Sequence, residues 1–286
     1  MPSARERREL AVVTDSTASL PASLVEAADV VVVPLQVVVD GVAYREGVDL
    51  SPARLAEALR SGATVTTSQP GPEAFARVYA RVAARGAREI VSVHLSGELS
   101  GTVTAAELAA QSAGVPVHVV DSRTVGMALG FAVLAAARST VPDGDAAERA
   151  ALARAAGTTV LFAVDSLDHL RRGGRLGPVA AAFGTLLGLR PVLGVRNGRL
   201  DVIEKARTAG RARERIVELI VADVARRDRF DLAVHHLGQP DVAAAIAERL
   251  TATCGAGLRA VHVAEISAAV GAHVGPGLVA VVAADA

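Results

Sequence analysis

Three times in its first half the chain runs from a short apolar stretch into a loop of hydroxyl and carboxylate side chains. Residues 10–13 lead into Thr14-Asp15-Ser16-Thr17, residues 90–95 into the Ser96 to Ser100 loop, and residues 117–120 into Asp121-Ser122-Arg123-Thr124. A segment read as helix follows each loop, from Pro21, Thr102 and Val125. Short strands alternating with helices predict a mainly parallel sheet covered on both faces. In such sheets a ligand sits beyond the carboxyl ends of the strands, where these loops fall.

Other signals fill in the order. Residues 30–39 are β-branched, broken by Pro34, and close on the hairpin dipeptide Asp40-Gly41. Ser51-Pro52 sets a capping hydroxyl before a helix over 52–60, and residues 66–70 read as a polar loop before a helix over 72–84. After a turn at 142–145, a helix over 146–156 leads into a second lobe. There, a strand over 160–164 and a helix over 179–187 are expected, then strands flanking Asn197-Gly198, a strong hairpin signal. A helix over 209–226 and strands over 232–236, 258–264 and 278–283 complete the chain.

The hairpin makes the second sheet mixed. The expectation is an α/β protein of two lobes with a ligand cleft between them. Residues 1–157 form a three-layer α/β/α lobe on a mainly parallel sheet, and residues 158–286 an α/β lobe on a mixed sheet.

Composition narrows the function. Hydrophobic residues make up 51% of the chain but aromatics only 2%, without tryptophan, so a cavity would be lined by alkyl groups. Thirty basic and thirty acidic residues cancel, and there are few rings on which bases could stack, which argues against nucleic acid. Cys254 is the sole cysteine, so no intramolecular disulfide forms, as suits a reducing cytoplasm. The first nine residues are charged and polar, unlike a secretory signal, and no run of about 20 apolar residues provides a membrane span.

Four polar blocks are candidates for chemistry. Thr66-Thr67-Ser68-Gln69-Pro70 either caps a helix or offers hydroxyls to an anion at a helix start. The Ser96 to Ser100 loop is either an ordinary strand-to-helix turn or an anion site; it matches neither a nucleophile elbow nor a phosphate loop. Arg171-Arg172-Gly173-Gly174-Arg175 is either a solvated turn or, through Arg175, a guanidinium clamp for a carboxylate or phosphate. His273 lies among Gly271, Gly275 and Gly277 in what reads as a flexible loop. No histidines show metal-ligand spacing, so no metal is expected.

In order along the chain, these blocks resemble the DegV family of fatty-acid-binding proteins. The resemblance rests on Val13 to Thr17, Thr66 to Pro70, Leu95 to Thr102, Val120-Asp121-Ser122 and Gly173-Gly174-Arg175. It continues through Gly184-Thr185-Leu186-Leu187, Arg190 to Leu193, Lys205 to Thr208 and His273 to Gly277. It implies a non-covalently bound long-chain fatty acid, palmitate-like, and no cofactor. It also implies that the chain is not itself an enzyme: a separate ATP-dependent fatty acid kinase phosphorylates the carboxylate of the bound lipid. On that basis Thr67 and Ser96 or Ser100 hold the carboxylate, Arg175 and His273 complete the head site, and Arg172 and Arg207 face the kinase. The chain departs from the family in one place, since Ser96 is followed by Gly97 rather than by a second serine. The rival expectation is a dihydroxyacetone-kinase-like subunit that binds a small ketone covalently through His273.

Overall fold

The computed structural model describes residues 9–139, 143–176 and 190–286. The helix expected over 179–187, the block Gly184-Thr185-Leu186-Leu187 and the turn at Pro142 lie outside the described residues.

The first half contains β1 (Leu10–Asp15), α1 (Ala22–Ala28), β2 (Val31–Val33), β3 (Gln36–Val39), β4 (Val42–Arg45), α2 (Pro52–Arg60) and β5 (Val65–Ser68). It continues with α3 (Pro72–Ala84), β6 (Glu89–His94), α4 (Thr102–Ala110), β7 (Val117–Asp121), α5 (Met127–Ala137) and α6 (Gly144–Ala156). Four of the strands form a parallel sheet in the order β2-β1-β6-β7. Its side chains alternate, as a pleated strand requires. Val12, Val91 and Val93 pack with α5 and α6, while Val13, Val33 and Ile90 pack with α3 and α4. This is the expected three-layer lobe.

Asp40-Gly41 joins β3 and β4 in the expected hairpin, and an unexpected third strand, β5, completes a small antiparallel sheet in the order β4-β3-β5. Residues 66–68, expected in a loop, belong to β5 and pair with β3, with Thr67 opposite Val37. Three consecutive β-branched residues, Val65, Thr66 and Thr67, suit a strand once a partner edge is available.

The second half contains β8 (Thr158–Ala163), α7 (Asp168–Arg172), β9 (Val192–Arg196), β10 (Arg199–Glu204), α8 (Ala209–Val224) and β11 (Phe230–His236). It ends with α9 (Pro240–Thr253), β12 (Leu258–Glu265), α10 (Ala268–Val274) and β13 (Val279–Asp285). Its strands form the expected mixed sheet, in the order β10-β9-β8-β13-β11-β12, with only the β11–β12 pair parallel. One face, including Leu161, Val279, Val281 and Leu232, packs on α8 and α9. The opposite face carries Val160, Phe162, Ala280 and Val282 toward the parallel-sheet lobe.

Helix α5 joins the lobes. Leu129, Ala132 and Val133 pack toward the parallel sheet, and Met127, Ala128, Phe131 and Leu134 toward the mixed sheet. A helix apolar all round has to be buried on every side. Its first residue is fixed by His235 on β11, whose Nε2 accepts from Met127 N at 2.9 Å while Nδ1 donates to Ala264 O at 3.1 Å.

Burial holds the His235 imidazole down to about 4, whereas an unfolded histidine titrates near 6.5. The unfolded chain therefore takes up a proton that the folded chain refuses. This stability is full above pH 6.5 and is lost as pH falls toward 4. Urea unfolding should show His235 contributing a loss of about 2 kcal/mol between pH 7 and pH 5. His235→Gln, whose amide retains an acceptor and a donor, should shed that share of the pH dependence; an unchanged slope contradicts the assignment.

Candidate functional site

Between the lobes lies a cavity of about 310 Å3, a size typical of small-molecule sites. Its floor is the inner face of the mixed sheet, with Val160, Phe162, Ala280 and Val282 alternating inward from β8 and β13. Leu95 and Leu99 from the parallel-sheet lobe add to an aliphatic wall. The polar side chains on the lining include Thr67, Ser100, Arg175 and His273. Three of these, Thr67, Arg175 and His273, also line a second, more polar cavity of about 480 Å3, with His169 and Arg172. The first cavity is thus a greasy chamber and the second a cationic vestibule, with one shared polar wall.

The shared wall has a definite geometry. Thr67 Oγ1 on β5 lies 2.7 Å from His273 Nε2 on α10, a contact between residues 206 apart in sequence. Arg175 donates from Nε to Leu99 O at 3.3 Å and from Nη1 to Gly173 O at 2.5 Å, which draws the Ser96–Ser100 loop toward the segment after α7. Ser100 Oγ lies 2.9 Å from Thr102 Oγ1. Burial, and then the neighbouring Arg175, hold the His273 imidazole down to about 4. His273 is not in a flexible loop as its glycine neighbours suggested; it occupies the last turn of α10.

The remaining candidates lie apart from this wall. Ser96 is fully buried, donates from Oγ to Gly198 O at 2.8 Å and accepts from Glu98 N at 3.2 Å, so its hydroxyl ties the loop to the β9–β10 hairpin. It does not line the chamber, whereas Ser100 does. Arg172 is exposed at the end of α7 on the vestibule, and Arg207 is exposed just before α8 and lines neither cavity.

Residues 9–286 match a protein family described as "Uncharacterised protein, DegV family". The chain belongs to the DegV family. A DegV domain-containing protein of Streptomyces coelicolor is 50% identical, covering 96% of this chain and 98% of that one. A Thermus thermophilus DegV family structure described as fatty acid binding superposes with a TM-score of 0.87 at 37% identity, over 97% of this chain and 99% of that one. DegV of Bacillus subtilis, described as a fatty acid binding protein, gives a TM-score of 0.90 at 30% identity with the same coverage.

In this DegV-family chain, two buried supports of the site went unseen in the sequence. Tyr79 OH donates to Ser92 Oγ at 2.9 Å, Ser92 Oγ lies 2.7 Å from His94 Nε2, and His94 Nδ1 lies 3.0 Å from Asp15 Oδ2. Despite its Ser-His-Asp order this chain of bonds is no nucleophile: Ser92 is fully buried and lines neither the chamber nor the vestibule. It holds the chamber wall instead, since Asp15 also accepts from Thr17 N, Thr17 Oγ1 and Leu95 N at 3.0, 2.5 and 3.1 Å. Glu46, buried, accepts from Ser16 Oγ at 2.5 Å and from Ala269 N at 3.0 Å, fastening the first turn of α10 to the opposite lobe. Burial pushes its pKa up, against these bonds.

His118, Asp145 and Glu148 also come within metal-ligand reach of one another. They lie away from both cavities, and the carboxylates suit the positive end of α6.

Asp15→Ala leaves the Thr17, Leu95 and His94 donors buried without their acceptor. The variant should lose about 3 kcal/mol or more in chemical denaturation; a loss below about 1 kcal/mol contradicts the supporting role.

Proposed function

We propose that this chain binds a long-chain fatty acid non-covalently, with its tail in the chamber and its carboxylate at Thr67, Ser100, Arg175 and His273. The observation that carries the reading is the junction itself, an aliphatic chamber that ends on hydroxyl, imidazole and guanidinium groups shared with a cationic vestibule. The fatty acid binding described for the Thermus and Bacillus relatives supports it. Ser100 is favoured over Ser96 because the Ser96 hydroxyl is already committed to Gly198 O.

The energetics suit a lipid. Burying each methylene yields about 0.8 kcal/mol, so roughly 14 of them in a palmitate-like tail supply on the order of 11 kcal/mol gross. Association and ordering costs offset several kcal/mol of that. The carboxylate loses hydration worth several kcal/mol unless donors replace it, and the polar wall supplies them. A small ketone, the ligand of the rival reading, would leave most of this aliphatic surface without a partner.

The chain then acts as a carrier and not as the catalyst. A separate ATP-dependent kinase phosphorylates the carboxylate through the vestibule, with Arg172 and Arg207 on the surface it meets. That partnership places the protein in the cytoplasm, where ATP is available.

Native mass spectrometry tests the ligand. Purified protein should retain a C16–C18 acid from the host, released without covalent change, and Thr67→Val should retain several-fold less. A covalent triose adduct, or equal retention by the variant, contradicts the reading.

A further inference from the structure

His118, half-buried on β7, faces a carboxylate on each side of its ring. Its Nδ1 lies 3.3 Å from Glu148 Oε2 and 3.4 Å from Asp145 Oδ1, and its Nε2 lies 3.5 Å from Glu89 Oε2. Asp145 and Glu148 stand three apart on the first turn of α6 and so share a face. One ligand atom from each of His118, Asp145 and Glu148 comes within 4.8 Å of the other two.

Ion pairing alone does not account for this arrangement. One ring nitrogen carries at most one proton, so Nδ1 cannot serve two carboxylates. Both separations also exceed the roughly 2.7–2.9 Å of a charge-assisted hydrogen bond. The start of α6 does not account for it either, because other carboxylates meet the N–H groups there. Glu89 accepts from Gly144 N at 2.8 Å and Asp143 from Ala146 N at 3.2 Å. Separations of 3.3 and 3.4 Å are those between two ligands on one tetrahedral ion with bonds of about 2.0–2.1 Å.

Two neighbours fit the same purpose. A metal-bound imidazole gives its other N–H to a carboxylate, which leaves the ligating nitrogen unprotonated; Glu89 stands on that side of the ring. Gly144 makes the room. Its backbone is not left-handed, yet a side chain there would run into the His118 ring and the Glu89 carboxylate.

We propose that His118 Nδ1, Asp145 and Glu148 bind one divalent transition-metal ion of the zinc type, with water in the fourth position and Glu89 as the positioning residue for the ring. Imidazole with carboxylates suits zinc, whereas magnesium and calcium favour oxygen ligands. Asp145 is exposed, so the ion enters directly from solvent. Once bound, it ties the edge strand of the parallel sheet to the helix that leads into the second lobe. No local pattern encodes the site, since 30 residues separate His118 from Glu148. It lines neither the chamber nor the vestibule and stands independently of the fatty-acid reading.

Zinc titration of the untagged, metal-free full-length protein at pH 7, against a chromophoric chelator, tests the site. One ion per chain is expected, with a rise in the thermal midpoint. Cobalt in its place should give the strong visible absorption of a tetrahedral centre. Glu89→Gln should weaken zinc binding by about tenfold or more while the cobalt spectrum stays tetrahedral. His118→Gln should weaken it further and abolish that spectrum, as should Asp145→Asn, a change at an exposed position that leaves the fold intact. No zinc bound, a six-coordinate cobalt spectrum, or equal zinc affinity in the unmutated protein, His118→Gln and Asp145→Asn, which is adventitious binding only, overturns the proposal.

Discussion

The inner face of the mixed sheet is wider than the helix laid against it. Six strands spaced about 4.8 Å apart need several helices to cover them, and a helix about 10 Å wide shields roughly two. Among the described residues α5 covers Val160, Ala233, Val282 and Ala284, while Phe162 and Ala280 join the floor of a chamber. The alternation along β8 and β13 commits the outward side chains to α8 and α9, while the inward Phe162 and Ala280 pack with Leu170, Leu237 and Val274 at the edge of the chamber. In the proposed reading an alkyl ligand would complete this layer.

The second constraint is electrostatic. An alkyl chamber repels a carboxylate, so the head group of the proposed ligand would stop where donors stand. Those donors come from elements far apart in sequence, Thr67 on β5, Ser100 before α4, Arg175 after α7 and His273 on α10. They converge because α10 is fastened across the lobes at both ends. Glu46 and Ser19 hold its first turn through Ala269 N and Ser267 N, and Thr67 holds its last. Asp15 does the same for the walls at Thr17 and Leu95.

Local chemistry made much of this legible from the chain alone. Asp40-Gly41 and Asn197-Gly198 announced hairpins because both residues of each pair adopt positive φ, and Ser51-Pro52 announced the start of α2 through its cap. The sheets followed from strand and helix alternation. What escaped was set by distant partners. Helix α10 read as a loop because of its glycines, yet Gly271 is there for close packing: a Cβ would lie 2.9 Å from Leu55 and 3.1 Å from Leu237. Helix α9 was passed over although Pro240 opens it; Gln239 makes no side-chain cap, and beside Ile246 and Leu250 its buried face relies on the small Ala243 and Ala247. Thr67 was singled out by its hydroxyl-rich block, but its pairing with His273 spans 206 residues and no local pattern encodes it.

A crystal structure of the delipidated protein soaked with an 18-carbon acid addresses the central claim most directly. The account predicts continuous density for the tail over Val160, Phe162 and Val282, with the carboxylate against Thr67 and Ser100 and the Thr67–His273 contact rearranged. A chamber that stays empty, or an acid lying with its carboxylate away from that wall, would contradict it.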